Sequence, residues 1–143
     1  MANVLTVSGK DGLWLVPVEG EPRRLVATSG TVGFAWSPDG KSLAYSNTLP
    51  YDSKNPERRS DALYTLVVEG GKPVKQVVAP KAGIIVAGWW ADGQGVLYWL
   101  DPLHSASLAA DGLNLLSLRL GNAKSTRLAF SLANYKFILR AHL

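Results

Sequence analysis

The chain contains no cysteine, and that absence removes several chemistries at once. Disulfide frameworks, thiolate zinc sites and cysteine nucleophiles are all excluded. Histidine is nearly as scarce: His104 and His142 are the only imidazoles available as bases or ligands. No apolar run approaches the roughly 18 residues of a membrane helix. Lys10, Asp11 and Glu19 interrupt residues 1–20, where a secretory signal would show a basic start and an apolar stretch. No membrane insertion is expected, and the compartment stays open. Helical patterning is missing too, because no apolar set holds a 3.6-residue period and Gly or Pro recurs throughout.

Catalytic signatures are equally sparse. Gly40-Lys41-Ser42 invites comparison with a phosphate loop, but that motif needs a glycine at position 35, which is alanine. Gly93-Gln94-Gly95 lacks the third glycine and following helix of a dinucleotide site. Neither a G-x-S-x-G elbow nor an H-E-x-x-H pair occurs. The expectation is a non-enzyme with no catalytic residues, no metal and no cofactor.

What the chain does contain is repetition. Its 143 residues are 47% hydrophobic, enough for one ordinary domain with a core. Asp11-Gly12-Leu13 returns as Asp61-Ala62-Leu63 and again as Asp111-Gly112-Leu113, 50 residues apart each time. Phe34-Ala35-Trp36-Ser37-Pro38-Asp39-Gly40-Lys41-Ser42-Leu43-Ala44-Tyr45 returns 53 residues later as Ala87-Gly88-Trp89-Trp90-Ala91-Asp92-Gly93-Gln94-Gly95-Val96-Leu97-Tyr98. Two markers with one period mean a tandem array.

Each unit reads as an antiparallel meander of four strands, A to D. In the second unit, Val32, Phe34 and Trp36 alternate with smaller residues as strand A, and Ser37-Pro38-Asp39-Gly40 supplies the turn. Strand B is 41–46, strand C 62–68 and strand D 73–79, with a long polar B–C loop from Asn47 to Ser60. The third unit predicts strands at about 84–89, 96–100, 113–118 and 124–130. The first keeps only B, C and D, at 4–7, 13–18 and 23–27. Tandem meanders of this length are the pattern of a β-propeller, one meander per blade. The fold class is therefore all-β, and residues 1–143 form a single propeller segment. Blade 1 is about 3–28 without strand A, blade 2 about 31–80 and blade 3 about 84–130. Residues 136–142 align with strand A of a further blade.

The run Trp36-Ser37-Pro38-Asp39-Gly40-Lys41-Ser42-Leu43-Ala44-Tyr45 resembles the PD40 (WD40-like) repeat of TolB-type propellers. The similarity extends over nearly the whole chain, although the copy at Trp89 has lost the Ser-Pro. The resemblance implies protein scaffolding in the bacterial envelope, and a periplasmic location if a leader has been removed; no binding residue transfers from it position by position. Similar repeats also form the gating domain of prolyl-oligopeptidase-type peptidases, and a sugar or small-molecule site in the channel is a third possibility.

Propellers close with about 4–8 blades, and three leave an arc with open apolar faces. Either the chain belongs to a longer propeller, or two chains close a six-bladed ring, with residues 136–142 of one completing the first blade of the other. The homodimer is the expectation adopted.

Candidate binding residues follow from loop length and charge. The 47–60 loop carries Tyr51, Asp52, Lys54, Arg58 and Arg59, is longer than a hairpin needs, and shares a face with the D–A loops near Ser29 and Pro80–Gly83. His104, in the next B–C loop between Asp101 and Asp111, joins this set. A protein or peptide partner is expected. Charges in the long loop nearly cancel, which argues against nucleic acid. Residues 112–143 carry five basic residues and no acid, but spread out as on a solvated surface. Trp36 and Trp89 are expected at blade junctions, and Trp90, adjacent in the strand, must face the other way.

Overall fold

A computed structural model describes residues 4–30, 32–50, 53–54, 59–106, 112–122 and 124–130. It is all-β, with three antiparallel sheets in chain order. The first contains β1 (Val4–Gly9), β2 (Gly12–Pro17) and β3 (Arg23–Val26). The second contains β4 (Phe34–Trp36), β5 (Ser42–Thr48), β6 (Asp61–Val67) and β7 (Val74–Ala79). The third contains β8 (Gly83–Trp89), β9 (Gly95–Asp101), β10 (Asn114–Arg119) and β11 (Ser125–Phe130). Every strand pairs with its chain neighbour, as a meander requires. Residues 136–142 and Asp111 lie outside the described residues.

Period-2 alternation explains the packing, since the second and third sheets carry buried residues on both faces. In β5, Leu43 and Tyr45 face the first sheet, where Leu13, Leu15 and Leu25 meet them. Ala44 faces the third sheet and joins Leu63, Ile84, Trp89, Val96, Tyr98 and Leu118. In β9, Val96 and Tyr98 point back to the second sheet, while Leu97 and Trp99 point forward with Leu113 and Leu115. Leu13, Leu43, Leu63, Leu115 and Leu118 are among the most completely buried side chains. Burying a leucine contributes about 1.5–3 kcal/mol, so these inter-sheet seams hold the array together.

Tryptophans at equivalent register lock the sheets to one another. The Trp36 indole N–H donates to Thr6 Oγ1 of the first sheet at 3.0 Å. The Trp89 indole N–H donates to the Ala35 carbonyl of the second at 2.9 Å. Trp90 takes the opposite face, as alternation demands, and donates to Ser117 Oγ at 2.8 Å.

The turn chemistry of the best-preserved repeat is visible atom by atom. Asp39 Oδ1 accepts from the Ser37 hydroxyl at 2.6 Å and the Lys41 amide at 3.0 Å, and Ser37 Oγ accepts from the Ser42 amide. Those bonds, led by that of Ser37, hold the Asp39 carboxyl below its ordinary range. The third sheet keeps the turn without Ser-Pro. Trp90 and Gly95 exchange the same backbone bond as Ser37 and Ser42, and Asp92 accepts from the Gln94 amide. Arg119 replaces the serine as the main partner of Asp92 and lowers its carboxyl pKa.

Strand ends move by one or two residues from expectation. Strand β5 runs on through Asn47 and Thr48, so the long loop starts at residue 49. The third Asp-Gly-Leu is also offset. The C–D bulge falls between Leu13 and Trp14, between Leu63 and Tyr64, and between Leu115 and Leu116. Leu115, rather than Leu113, is therefore the counterpart of Leu63, and it sits opposite Trp99 as Leu63 sits opposite Ser46. A two-residue slip leaves Leu113 on the same face, so the sequence pattern cannot distinguish the two.

Candidate functional site

A cleft of 280 Å³ opens at the end of the molecule where the loop after β5 meets the loops that precede β4 and β8. Its base is the start of β8, Gly83 to Ile85, flanked by two carboxylates, Asp61 and Asp101. Ser29, Asn47 and Thr48 form one wall, and Arg59, His104 and Ala106 the other features of its rim.

Each side chain is placed by backbone chemistry. Asp61 opens β6 and is only 7% exposed. Its Oδ1 accepts from Thr48 Oγ1 at 2.9 Å, and its Oδ2 accepts from the Ile84 amide at 3.1 Å. That carboxylate joins the second sheet to the first residues of β8. Ser8 makes the equivalent link between the first and second sheets, its Oγ accepting from the Val32 amide. Arg59 Nε donates to Thr48 Oγ1 at 3.0 Å and lies 3.8 Å from Asp61 Oδ1. Asn47 Oδ1 accepts from both the amide and the hydroxyl of Ser29, pinning the loop between the first two sheets.

Asp101 closes β9 and is 3% exposed. Its two carboxylate oxygens accept from the amides of Ser105 and Ala106 at 3.2 and 2.8 Å, so the loop curls around it. The curl requires left-handed backbone at His104 (φ 51°) and Ala106 (φ 55°), with Lys81 (φ 58°) in the neighbouring loop. Non-glycine residues adopt this region at a cost of order 1 kcal/mol or more, repaid here by the bonds to Asp101 and by Lys81 N donating to Ser60 Oγ. His104 Nε2 bonds the Arg59 carbonyl at 2.9 Å, bridging the two B–C loops. Its Nδ1 lies 3.1 Å from where a Cβ on Gly83 would stand, so glycine there makes room for the ring.

Of the six residues expected from sequence, Arg59 and His104 are brought together at this cleft. Lys54 is exposed and does not line it. Tyr51, Asp52 and Arg58 lie outside the described residues. Sequence reasoning missed Asn47, Thr48, Asp61 and Asp101 as cleft residues. Asp61 was visible only as a repeat marker. Asp101 was noted only as a neighbour of His104, although an acid ending an otherwise apolar strand is itself a signal. Among the described residues no group of three or more His, Asp or Glu side chains could hold a metal ion.

No protein-family model matches the chain, and no curated protein matches it. Solved structures do. One from a study of two prolyl endopeptidases aligns over 90% of this chain at 13% identity and a TM-score of 0.56. The AtxE2 isopeptidase in its apo form aligns over 88% at 14% identity and a TM-score of 0.52. TolB from Acinetobacter baumannii covers 88% at 13% identity with a TM-score of 0.37, too low to carry an argument. The two peptidase matches lie in propeller domains. The fold is that of a propeller module. The chain spans about a fifth of the two peptidases, 22% and 18% of their lengths.

Proposed function

We propose that this chain is a non-catalytic β-propeller module of the TolB-like, PD40-repeat type that presents its B–C and D–A loops to a protein or peptide partner. The observation that carries the reading is the cleft over Gly83–Ile85. It is built from three converging loops, has convergent polar groups and contains backbone held in a costly conformation. At 280 Å³ it falls just below the usual range of ligand pockets, about 300–1,000 Å³, and suits a side chain of a larger partner. Loops on a rigid sheet scaffold are where binding surfaces concentrate.

The test is selection of a random peptide display library against the folded chain, with the bound peptide mapped by amide chemical shifts. Perturbation of residues 46–48, 83–85 and 101–106, and weakening by Arg59→Ala, are expected. Selected peptides that leave those amides unmoved would defeat the reading. Turnover of any peptide or ester substrate by the pure chain would overturn its non-catalytic aspect.

The ring is proposed to close as a homodimer. The first sheet holds three strands where the other two hold four, and residues 136–142 lie 53 positions after β8. A solution mass at the 15.4 kDa monomer value would refute this. A second reading, the propeller portion of a prolyl-oligopeptidase-type peptidase, is favoured by the two peptidase likenesses. A hydrolase domain encoded in the same polypeptide would establish it.

A further inference from the structure

From the two buried carboxylates that line the cleft, we infer that it receives a positively charged group of the bound peptide, a lysine or arginine side chain or a free amino terminus. This rests on the peptide-binding reading above and names the chemistry of that site.

Asp61 and Asp101 both line the cleft and both are more than nine-tenths buried. Their only cationic neighbour among the described lining residues is Arg59, whose guanidinium side chain is 60% exposed and lies against Asp61 alone. Among the described residues Asp101 forms no ion pair, and its oxygens accept from the amides of Ser105 and Ala106. Among the described lining residues two carboxylates, Asp61 and Asp101, thus face one guanidinium, Arg59.

A buried carboxylate is stabilised by a counter-charge as well as by amide dipoles, and each carboxylate oxygen keeps a lone pair after the bond shown here. A cation entering over Gly83 would find Asp101 on the third sheet and Asp61 on the second, beside the His104 ring. The neutral acceptors at the wall, Asn47 Oδ1 and the Thr48 carbonyl, already gather donors from Ser29 and add the same polarity. An anionic group would instead meet both carboxylates. By contrast, the carboxylates lining the 320 Å³ cavity at the opposite end, Asp39 and Asp92, are exposed, and Asp92 is paired with Arg119.

The experiment uses peptides from the library selection described above, on the full chain. A basic residue is expected in the selected sequences. Replacing it by norleucine should weaken binding roughly tenfold or more, as loss of a buried charge partner does. Asp101→Asn should weaken the parent peptide by a similar factor and leave the norleucine peptide little changed. The norleucine comparison needs no protein variant, so it stands even if Asp101→Asn fails to fold. Peptides that bind at the cleft with no basic residue, or with unchanged affinity after norleucine replacement, overturn the inference while the binding reading survives. Failure to select any peptide, or selection of peptides that bind elsewhere, overturns both.

Discussion

Replacing Asp61 by alanine tests how the cleft and the fold depend on each other. The substitution removes two acceptors at once. The Ile84 amide, in a residue 4% exposed, loses its partner at 3.1 Å, and a buried orphan donor costs about 1–3 kcal/mol. The Thr48 hydroxyl loses a bond at 2.9 Å, but its oxygen still accepts from Arg59, so this loss costs about 1 kcal/mol. Releasing a buried carboxylate from its desolvation penalty offsets some of that loss. The net expectation is about 1–3 kcal/mol of destabilisation, large against a total domain stability of about 5–15 kcal/mol. Asp61→Asn retains one acceptor and should cost roughly half as much. Thr48→Val removes only the hydroxyl, and combined with Asp61→Ala it should show a coupling of about 0.5–3 kcal/mol. Urea unfolding followed by tryptophan fluorescence measures the energies, and hydrogen exchange at Ile84 supplies a local readout. A cost below about 0.5 kcal/mol with unchanged exchange at Ile84 would refute the role assigned to this carboxylate.

Other expectations concern the seams and turns. Trp89→Ala, which empties a side chain only 5% exposed and breaks its bond to Ala35, should cost about 3–5 kcal/mol in denaturant unfolding. Trp89→Phe, which keeps most of the apolar contact, should cost markedly less. Gly95→Ala would place a Cβ 2.7 Å from Trp90 Cδ1 and 2.9 Å from the Leu118 carbonyl, so destabilisation of about 1–3 kcal/mol or more is expected, with Gln94→Ala in the adjacent turn as a milder control. Burial beside stacked Tyr64 pushes the Tyr45 hydroxyl from 10.0 to about 12. The neutral phenol is the form the fold favours, so its contribution of about 2–3 kcal/mol is present below pH 10 and lost as pH rises through about 12. Tyrosinate absorbance should therefore rise late and together with unfolding, and Tyr45→Phe should remove some of that alkaline loss. In acid the sign reverses. Asp39, held below its ordinary pKa by Ser37, stabilises the fold above that ordinary value and loses its contribution as pH falls further, so Asp39→Asn should flatten the acid limb of the stability curve.

The sheets were legible because two independent periodicities agree in this sequence. Alternation along Leu43-Ala44-Tyr45 and Val96-Leu97-Tyr98 assigns each side chain to a seam, and the structure places all six accordingly. Turn residues at Ser37–Gly40 and Asp92–Gly93 fix where strands reverse, since their bonds are local. The offset of the third Asp-Gly-Leu escaped notice because hydrophobic patterning is blind to a shift of two residues. The cleft was legible only in outline. Loop length pointed to the end of the molecule where the cleft opens, but Asp61 and Asp101 are 40 positions apart in the chain. Their approach depends on how β8, the edge strand of the third sheet, packs against the second sheet, a long-range relation that no local pattern encodes. His104 illustrates the same limit, because its partner is a backbone carbonyl at residue 59 that any residue type could have offered.

The central claim is that the cleft between the second and third sheets is the binding surface of this module. Amide chemical-shift mapping with a library-selected peptide tests it most directly. The account predicts the largest shifts at Asn47, Gly83, Ile84 and residues 101–106, with little change at the turns around Asp39 and Asp92. Shifts centred on those turns, or none near Gly83, would contradict it.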